Sequence, residues 1–255
     1  MPPQKTTAIV IRTRDYGEAD RIVTVLSPEA GRLTLVALNA RKSQRRFRNC
    51  LEPLSLVRLT YTEKPHRDLG RLDTCELIEA HADLRRNLHR LGAAACLAEL
   101  AGEIIGAQDK LTDIFRALET ALSLLSQGVP PDSILCSFLI RLLVLAGYGP
   151  RWQRCQVCGR PPSGALWLNV NEGTVICQSC RPSNDGRLYP LSFGTWKLMV
   201  LAQSLPPAKL SRLRFPALAA RQTLALARGF IRQILGRELK SFEFLNKIGK
   251  GEGRG

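Results

Sequence analysis

No stretch of the 255-residue chain is apolar for the roughly 18–20 residues that a bilayer span requires. The longest candidate, Ile134 to Ala146, is shorter and contains Cys136, Ser137 and Arg141, so it reads as a buried helix. No membrane partner is expected. Histidine is scarce: the three present, His66, His81 and His89, form no HExxH arrangement. No GxxxxGK[ST] occurs and no GxGxxG follows a strand, which removes phosphate-loop and dinucleotide chemistry. Nothing assembles a catalytic apparatus, so no enzyme activity is expected. Aromatic residues make up only 6% while leucine is abundant, which leans the core toward packed helices. The opening MPPQKTTAIVIRTRDYG alternates apolar with polar residues and reads as a strand, not a secretory leader. The expected address is the reducing cytoplasm, where the eight cysteines would be thiols or metal ligands.

Acidic residues are also in deficit. Lys and Arg number 37 against 22 Asp and Glu, a formal charge of +15. The surplus is uneven: +6 over residues 1–75, −3 over 76–150, +2 over 151–180 and +10 over 181–255. Cations concentrated in this way point to a polyanion, because each bound phosphate releases condensed counterions. Hydrophobic residues at 45% allow a real core.

The first 80 residues alternate with strand periodicity. Runs at Thr7–Arg12, Arg21–Leu26, Arg32–Leu38, Pro53–Thr62 and Arg71–Ile78 predict five strands, with a turn at Ser27–Gly31. Five strands in about 75 residues suit a small OB-fold barrel, with an SH3-like barrel as the alternative. From about Asp83 the period becomes helical, with Leu84, Leu88, Leu91 and Ala95 on one stripe. A second helix is expected from Thr112 to Ser126, burying Ile114, Phe115, Leu118, Leu122 and Leu125. A third, capped by Asp132 or Ser133, runs to Ala146, where Gly147 closes it. A further helix is expected from Pro216 to Leu239. Gly249–Gly255 is low-complexity and expected to be disordered.

Cys155-Gln156-Val157-Cys158 and Cys177-Gln178-Ser179-Cys180 are separated by 18 residues, the spacing of a zinc ribbon. A two-residue spacer lets a tight turn aim both sulfurs at one ion, and four thiolates fill a tetrahedron with no place for a reactive water. One structural Zn²⁺ held by Cys155, Cys158, Cys177 and Cys180 is expected, across a hairpin of Ala165–Val170 and Thr174–Ile176. Cys50, Cys75, Cys96 and Cys136 lack any such spacing and read as buried apolar residues.

Arg41-Lys42-Ser43-Gln44-Arg45-Arg46-Phe47-Arg48 holds five cations in eight residues and no acid. Five unpaired cations cannot be buried, so the loop is either solvated or seated on phosphates. Phe47 is either a platform for a base or an anchor into the barrel. Arg12, Arg14, Arg21 and Arg32 can extend this patch. On the C-terminal helix, spacings of 7 and 4 put Arg221, Arg228 and Arg232 on one face, roughly opposite Leu218, Phe230 and Ile234. Asp15, Glu18 and Asp20 suggest either a metal-dependent nuclease site or a hairpin turn with capping acids.

Taken in order, three stretches resemble the bacterial RecO family of recombination mediators in its zinc-binding form. They are Val10–Ile22, with its Tyr16-Gly17-Glu18-Ala19-Asp20 signature; Ala40–Lys42 through Leu51-Glu52-Pro53-Leu54; and Leu145–Pro150 followed by the paired cysteines. The resemblance implies an OB-fold domain over 1–80, a helical domain over 81–150 and 187–248, and a zinc module over 151–186. It also implies binding of single- and double-stranded DNA, strand annealing, and action with RecR to displace single-strand-binding protein and load RecA. A site for that protein's acidic tail in the helical domain is implied too, for which Arg141 is either a cation or an internal helix-end contact. An RNA-processing or translation-associated OB/zinc-ribbon protein is the alternative.

Overall fold

The computed structural model describes residues 2–43, 46–63, 69–104, 111–170, 172–182 and 188–251. Strand alternation at the N-terminus resolves into β1 (Gln4–Tyr16), β2 (Asp20–Ser27), β3 (Gly31–Ala37), β4 (Leu56–Thr62) and β5 (Gly70–Glu79). These close in the order β1-β2-β3-β5-β4, with β4 returning to pair with β1. Every pairing is antiparallel except β3 with β5. A closed five-stranded barrel of this Greek-key order is OB-like. Inward residues, among them Ala8, Val10, Val23, Val25, Leu35, Val57, Leu59 and Leu72, form its core. Cys50 and Cys75 belong to the same cluster, and Cys96 and Cys136 are equally buried in helices.

A bulge in β1 decides which side chains look outward. The register shifts between Val10, opposite Val25, and Arg12, opposite Thr24. One extra residue reverses the phase of the strand. Beyond it Thr13 faces inward with Val23, so Arg12 and Arg14 face out.

By packing, the chain forms two units, Met1–Gln127 and Gly128–Gly255. The first holds the barrel, a short 3₁₀ turn (Ala82–Arg86), α1 (Leu88–Glu103) and α2 (Leu111–Ser126). Helix α1 makes contacts with strands β1 and β2 of the barrel, and α2 with β2. The leucine stripe expected for α1 does not form. Asn87 interrupts it as an N-cap, its side chain accepting the Arg90 N–H, and Leu88 is 59% exposed. The buried face mixes small residues with two leucines instead: Ala93, Ala94, Leu97, Ala98, Leu100 and Ala101 are buried, and Gly102 lies against Ile11. The stripe expected for α2 is buried throughout.

The second unit is built on α3 (Pro131–Leu145), which is buried nearly all round. Pro130 and Pro131 start it, in place of the expected Asp132 or Ser133 cap; the Ser133 hydroxyl accepts the Phe215 N–H instead. Gly147, at φ +84°, ends it, and the Tyr148 N–H closes on the Leu143 carbonyl. Around it lie β6 (Arg151–Cys155), β7 (Leu166–Asn169), β8 (Thr174–Cys177), β9 (Leu188–Leu191), α4 (Phe193–Ser204), α5 (Ala217–Leu235) and α6 (Lys240–Gly251). The sheet order is β6-β8-β7-β9. Trp152, Leu166, Leu168 and Val175 share one core with Ile140, Met199, Leu226 and Phe230, so sheet and helices are one packed body. The helix expected to reach Leu239 stops at Leu235, because Gly236 turns left-handed at φ +67°. Conversely, α6 carries on to Gly251, into the segment expected to be disordered; residues 252–255 lie outside the described residues. Among the described residues, no helix is long and apolar enough to cross a membrane.

Candidate nucleic-acid interface and cysteine centre

Cys155 ends β6, Cys177 ends β8, and Cys158 and Cys180 follow each by one tight turn. The first turn closes when the Gly159 N–H meets the Cys155 carbonyl at 2.9 Å, with Gly159 at φ +70°. That conformation favours a residue without Cβ. The four sulfurs all lie within 4.8 Å of one another. Metal–sulfur bonds of about 2.3 Å in a tetrahedron place neighbouring sulfurs about 3.8 Å apart. The Cys158 and Cys177 sulfurs are 3.8 Å apart. Burial pushes the Cys155 thiol up, but the N–H groups of Cys158, Cys177 and Val157 outweigh it and hold the group down at about 6. The arrangement can hold a metal ion, and backbone donors favour the thiolate of Cys155.

The basic loop leaves β3 at one end of the barrel and is tied to the β1–β2 turn. The Arg41 N–H donates to the Ala19 carbonyl at 3.0 Å and its guanidinium to the Glu18 carbonyl at 3.1 Å. The Asn39 N–H donates to Asp20 Oδ1 at 2.7 Å. On the far side, the Cys75 N–H donates to the Arg46 carbonyl at 3.1 Å, and the Arg46 side chain reaches the Leu38 carbonyl. The loop is therefore a shaped wall. Beneath it opens a cavity of about 530 Å³, lined by Arg21, Arg41, Ser43, Phe47, Arg48 and Glu52. Asp15 pairs with Arg21 at 3.2 Å and with Arg41 at 3.9 Å. Asp15 and Glu52 set against Arg21, Arg41 and Arg48 leave the rim positive, and both Asp15 pairs are exposed enough to be weak. Among the described residues, Lys42 and Arg48 have no carboxylate partner. Arg45 lies outside the described residues.

Phe47 is not a platform. It is 4% exposed within the barrel core, with the Arg46 guanidinium 5.1 Å above its ring, so it anchors the loop. Arg32 sits apart from the rim: it donates to the Gly102 carbonyl at 3.1 Å and pairs with Glu103 at 3.8 Å, serving the C-terminal end of α1. Arg12 and Arg14 face outward from the barrel, on the side opposite the Arg21–Asp15 pair.

On α5 the three arginines separate in role. Arg228 donates to Glu238, to Asn246 Oδ1 and to the Phe242 carbonyl, and lies 4.9 Å over the Phe242 ring. It joins α5 to α6. Arg221 and Arg232 are exposed, Arg232 at a shallow cavity of about 360 Å³ beside Tyr189. Leu218, expected on the buried side, is 52% exposed. Arg141 donates to the Gln203 carbonyl at 2.8 Å in the last turn of α4, the helix-end contact. Asp15, Glu18 and Asp20 form the β1–β2 turn and its ties to the loop; among the described residues, the four cysteines are the only group of three or more ligands close enough for one metal.

Family models described as Recombination protein O N terminal and Recombination protein O C terminal match residues 1–81 and 85–243. The chain belongs to the RecO family. A DNA repair protein RecO of Syntrophus aciditrophicus is 33% identical over 247 residues, covering 96% of this chain and 95% of the relative. Relatives with the same description from Anaeromyxobacter dehalogenans and Syntrophobacter fumaroxidans are each 33% identical, over 98% and 97% of this chain and 98% of their own lengths. The segments that resembled the RecO family are structural joints. Tyr16 to Asp20 is the β1–β2 turn that receives the basic loop, and Leu145 to Pro150 is the exit of α3 into the cysteine-bearing sheet. One feature of this RecO-family barrel escaped the sequence: Tyr16, at the tip of β1, is 53% exposed. Counting alternation through the β1 bulge would have revealed it, but a bulge has no clear sequence signature.

Proposed function

We propose that this chain is a non-enzymatic recombination mediator of DNA repair, which anneals complementary strands and helps load RecA onto DNA coated with single-strand-binding protein, acting with RecR. The observation that carries the reading is the positive rim of Arg21, Arg41 and Arg48 around an open cavity at one end of an OB-like barrel. Annealing needs no catalytic group. Two strands repel, a cationic surface that neutralises both lowers the barrier to approach, and base pairing supplies the driving force. The same reading sets its work in the cytoplasm, at the chromosome. The cysteine centre holds one structural Zn²⁺: four thiolates satisfy the ion, so its contribution is folding energy for the unit that contains the sheet.

The experiment is annealing of complementary oligonucleotides precoated with single-strand-binding protein, with and without this chain. Acceleration is expected, and a joint Ala substitution at Arg41, Lys42, Arg46 and Arg48 should abolish most of it. In direct titrations the same variant should flatten the dependence of log K on log salt by up to about 0.7 per lost phosphate contact on single strands. An unchanged slope removes the loop from the interface. Elemental analysis should find about one zinc per chain.

A further inference from the structure

Alternation along the β1–β2 hairpin divides the cations of the barrel between two surfaces. Asp15 pairs with Arg21 on the inward side, at the cavity's rim. Arg12, Arg14 and Tyr16 project from the opposite side, at successive outward positions about 6.8 Å apart. Neither arginine has a carboxylate partner among the described residues. The acid opposite Tyr16 is Asp20, whose Oδ1 already accepts the Asn39 N–H at 2.7 Å.

Tyr16 is 53% exposed, while Phe47, Tyr61 and Phe115, the other described aromatics of this unit, are 4%, 1% and 5% exposed. No hydrogen bond holds its hydroxyl among the described residues. Leu38, which directly follows the end of β3, is 41% exposed and adds apolar surface at the same end of the barrel. A large ring in water beside two unpaired cations is the pairing of features that a single strand recognises: phosphates on the guanidiniums and a base face on the ring.

We propose that Tyr16 is a base-stacking platform, and that the outward face of the β1–β2 hairpin takes an unpaired nucleobase of a single-stranded polynucleotide, with Arg14 and Arg12 on the adjoining phosphates. This rests on the DNA-binding reading and adds a property to it. A base is available to the ring only while it is unpaired, so the contact favours single strands and is lost when the strand pairs. Annealing then loosens the product from this face, which is what turnover between strands requires.

The test compares Tyr16→Ala and Tyr16→Phe with the unaltered chain, each titrated at one fixed salt concentration against oligo-dT, an abasic oligomer of equal length, and a duplex. Tyr16→Ala should weaken oligo-dT binding about tenfold and leave the abasic oligomer and the duplex within twofold. Tyr16→Phe should keep most of the affinity, because the ring and not the hydroxyl does the stacking. Equal weakening for oligo-dT and the abasic oligomer, or no weakening at all, overturns the platform while DNA binding stands. If the unaltered chain binds none of the three, the underlying reading fails instead.

Discussion

Phe47 and Arg228 each sit where a polar or exposed duty was available and do structural work instead. Phe47 is surrounded by Arg41, Lys42, Arg46 and Arg48, yet its ring fills the barrel core with Cys50, Leu51 and Leu35. Truncating a buried aromatic of this size costs about 3–5 kcal/mol. Phe47→Ala should therefore lower the unfolding free energy of the barrel unit by that amount, read from denaturant titration. At temperatures where the variant stays folded, its preference for oligo-dT over an abasic oligomer should match that of the unaltered chain. A selective loss of oligo-dT binding without a stability change would restore Phe47 as a base contact. Arg228 makes the complementary case. Its charge is spent on Glu238, Asn246 and the Phe242 carbonyl, so Arg228→Ala should destabilise the α5–α6 contact by about 1–3 kcal/mol. Arg232→Ala, at an exposed position, should change stability by less than about 0.5 kcal/mol.

Elements meet closely where α5 crosses the end of β7. A Cβ on Gly229 would stand 2.8 Å from Val170 Cγ1, and one on Gly173 would stand 3.2 Å from the Phe230 ring. Glycine inside a helix normally costs about 1 kcal/mol relative to alanine, so propensity alone makes Gly229→Ala stabilising. Val170 is buried and its short, stiff side chain cannot swing away, and overpacking of this kind costs about 1–3 kcal/mol. Net destabilisation of about 1 kcal/mol is expected, read from the denaturant midpoint of the second unit. Adding Val170→Ala should make the glycine replacement favourable, the coupling expected of neighbours in contact. These contacts mark where sequence periodicity ends as a guide. Strands with a polar face, such as β2 and β3, and the evenly striped α2 were legible because one property alternates along them. The stripe of α1 was misplaced because it was run from Leu84 through Leu88 and Leu91, across the N-cap at Asn87, whereas the buried face is carried by Ala93, Ala94, Leu97, Leu100 and Ala101. Arg228 seemed free because its partners, Glu238 in the connection after Gly236 and Asn246 on α6, lie beyond a turn that sequence periodicity does not show. Tyr16 was hidden by one bulge residue, which inverted the faces of β1.

Over the whole molecule, the cysteine centre and the positive rim belong to different packing units, and this sets what metal loss should do. Trp152, Leu166, Leu168 and Val175 of the cysteine-bearing sheet share a core with Ile140, Leu226 and Phe230 of the helices. The barrel core, from Ala8 through Cys75, contains no residue of the four-cysteine group. In the unfolded chain nothing gathers four thiolates, so the free energy of metal binding is folding free energy of the unit that contains the site. Chelation, or Cys158→Ser, should therefore raise amide hydrogen exchange first in residues 151–182 and then in α3 and α5. Strands β1 to β5 should keep their protection, and binding of oligo-dT with its full salt dependence should survive at temperatures where only the second unit has opened. Loss of protection in the barrel at the same chelator concentration would mean that the two cores fold as one. Full protection of the sheet after metal removal would mean that its shared core with α3 and α5 suffices without the ion. The spacing of the cysteines was legible in the sequence. Which core the metal supports was not, because that follows from Trp152 and Phe230 meeting across about 78 residues of chain.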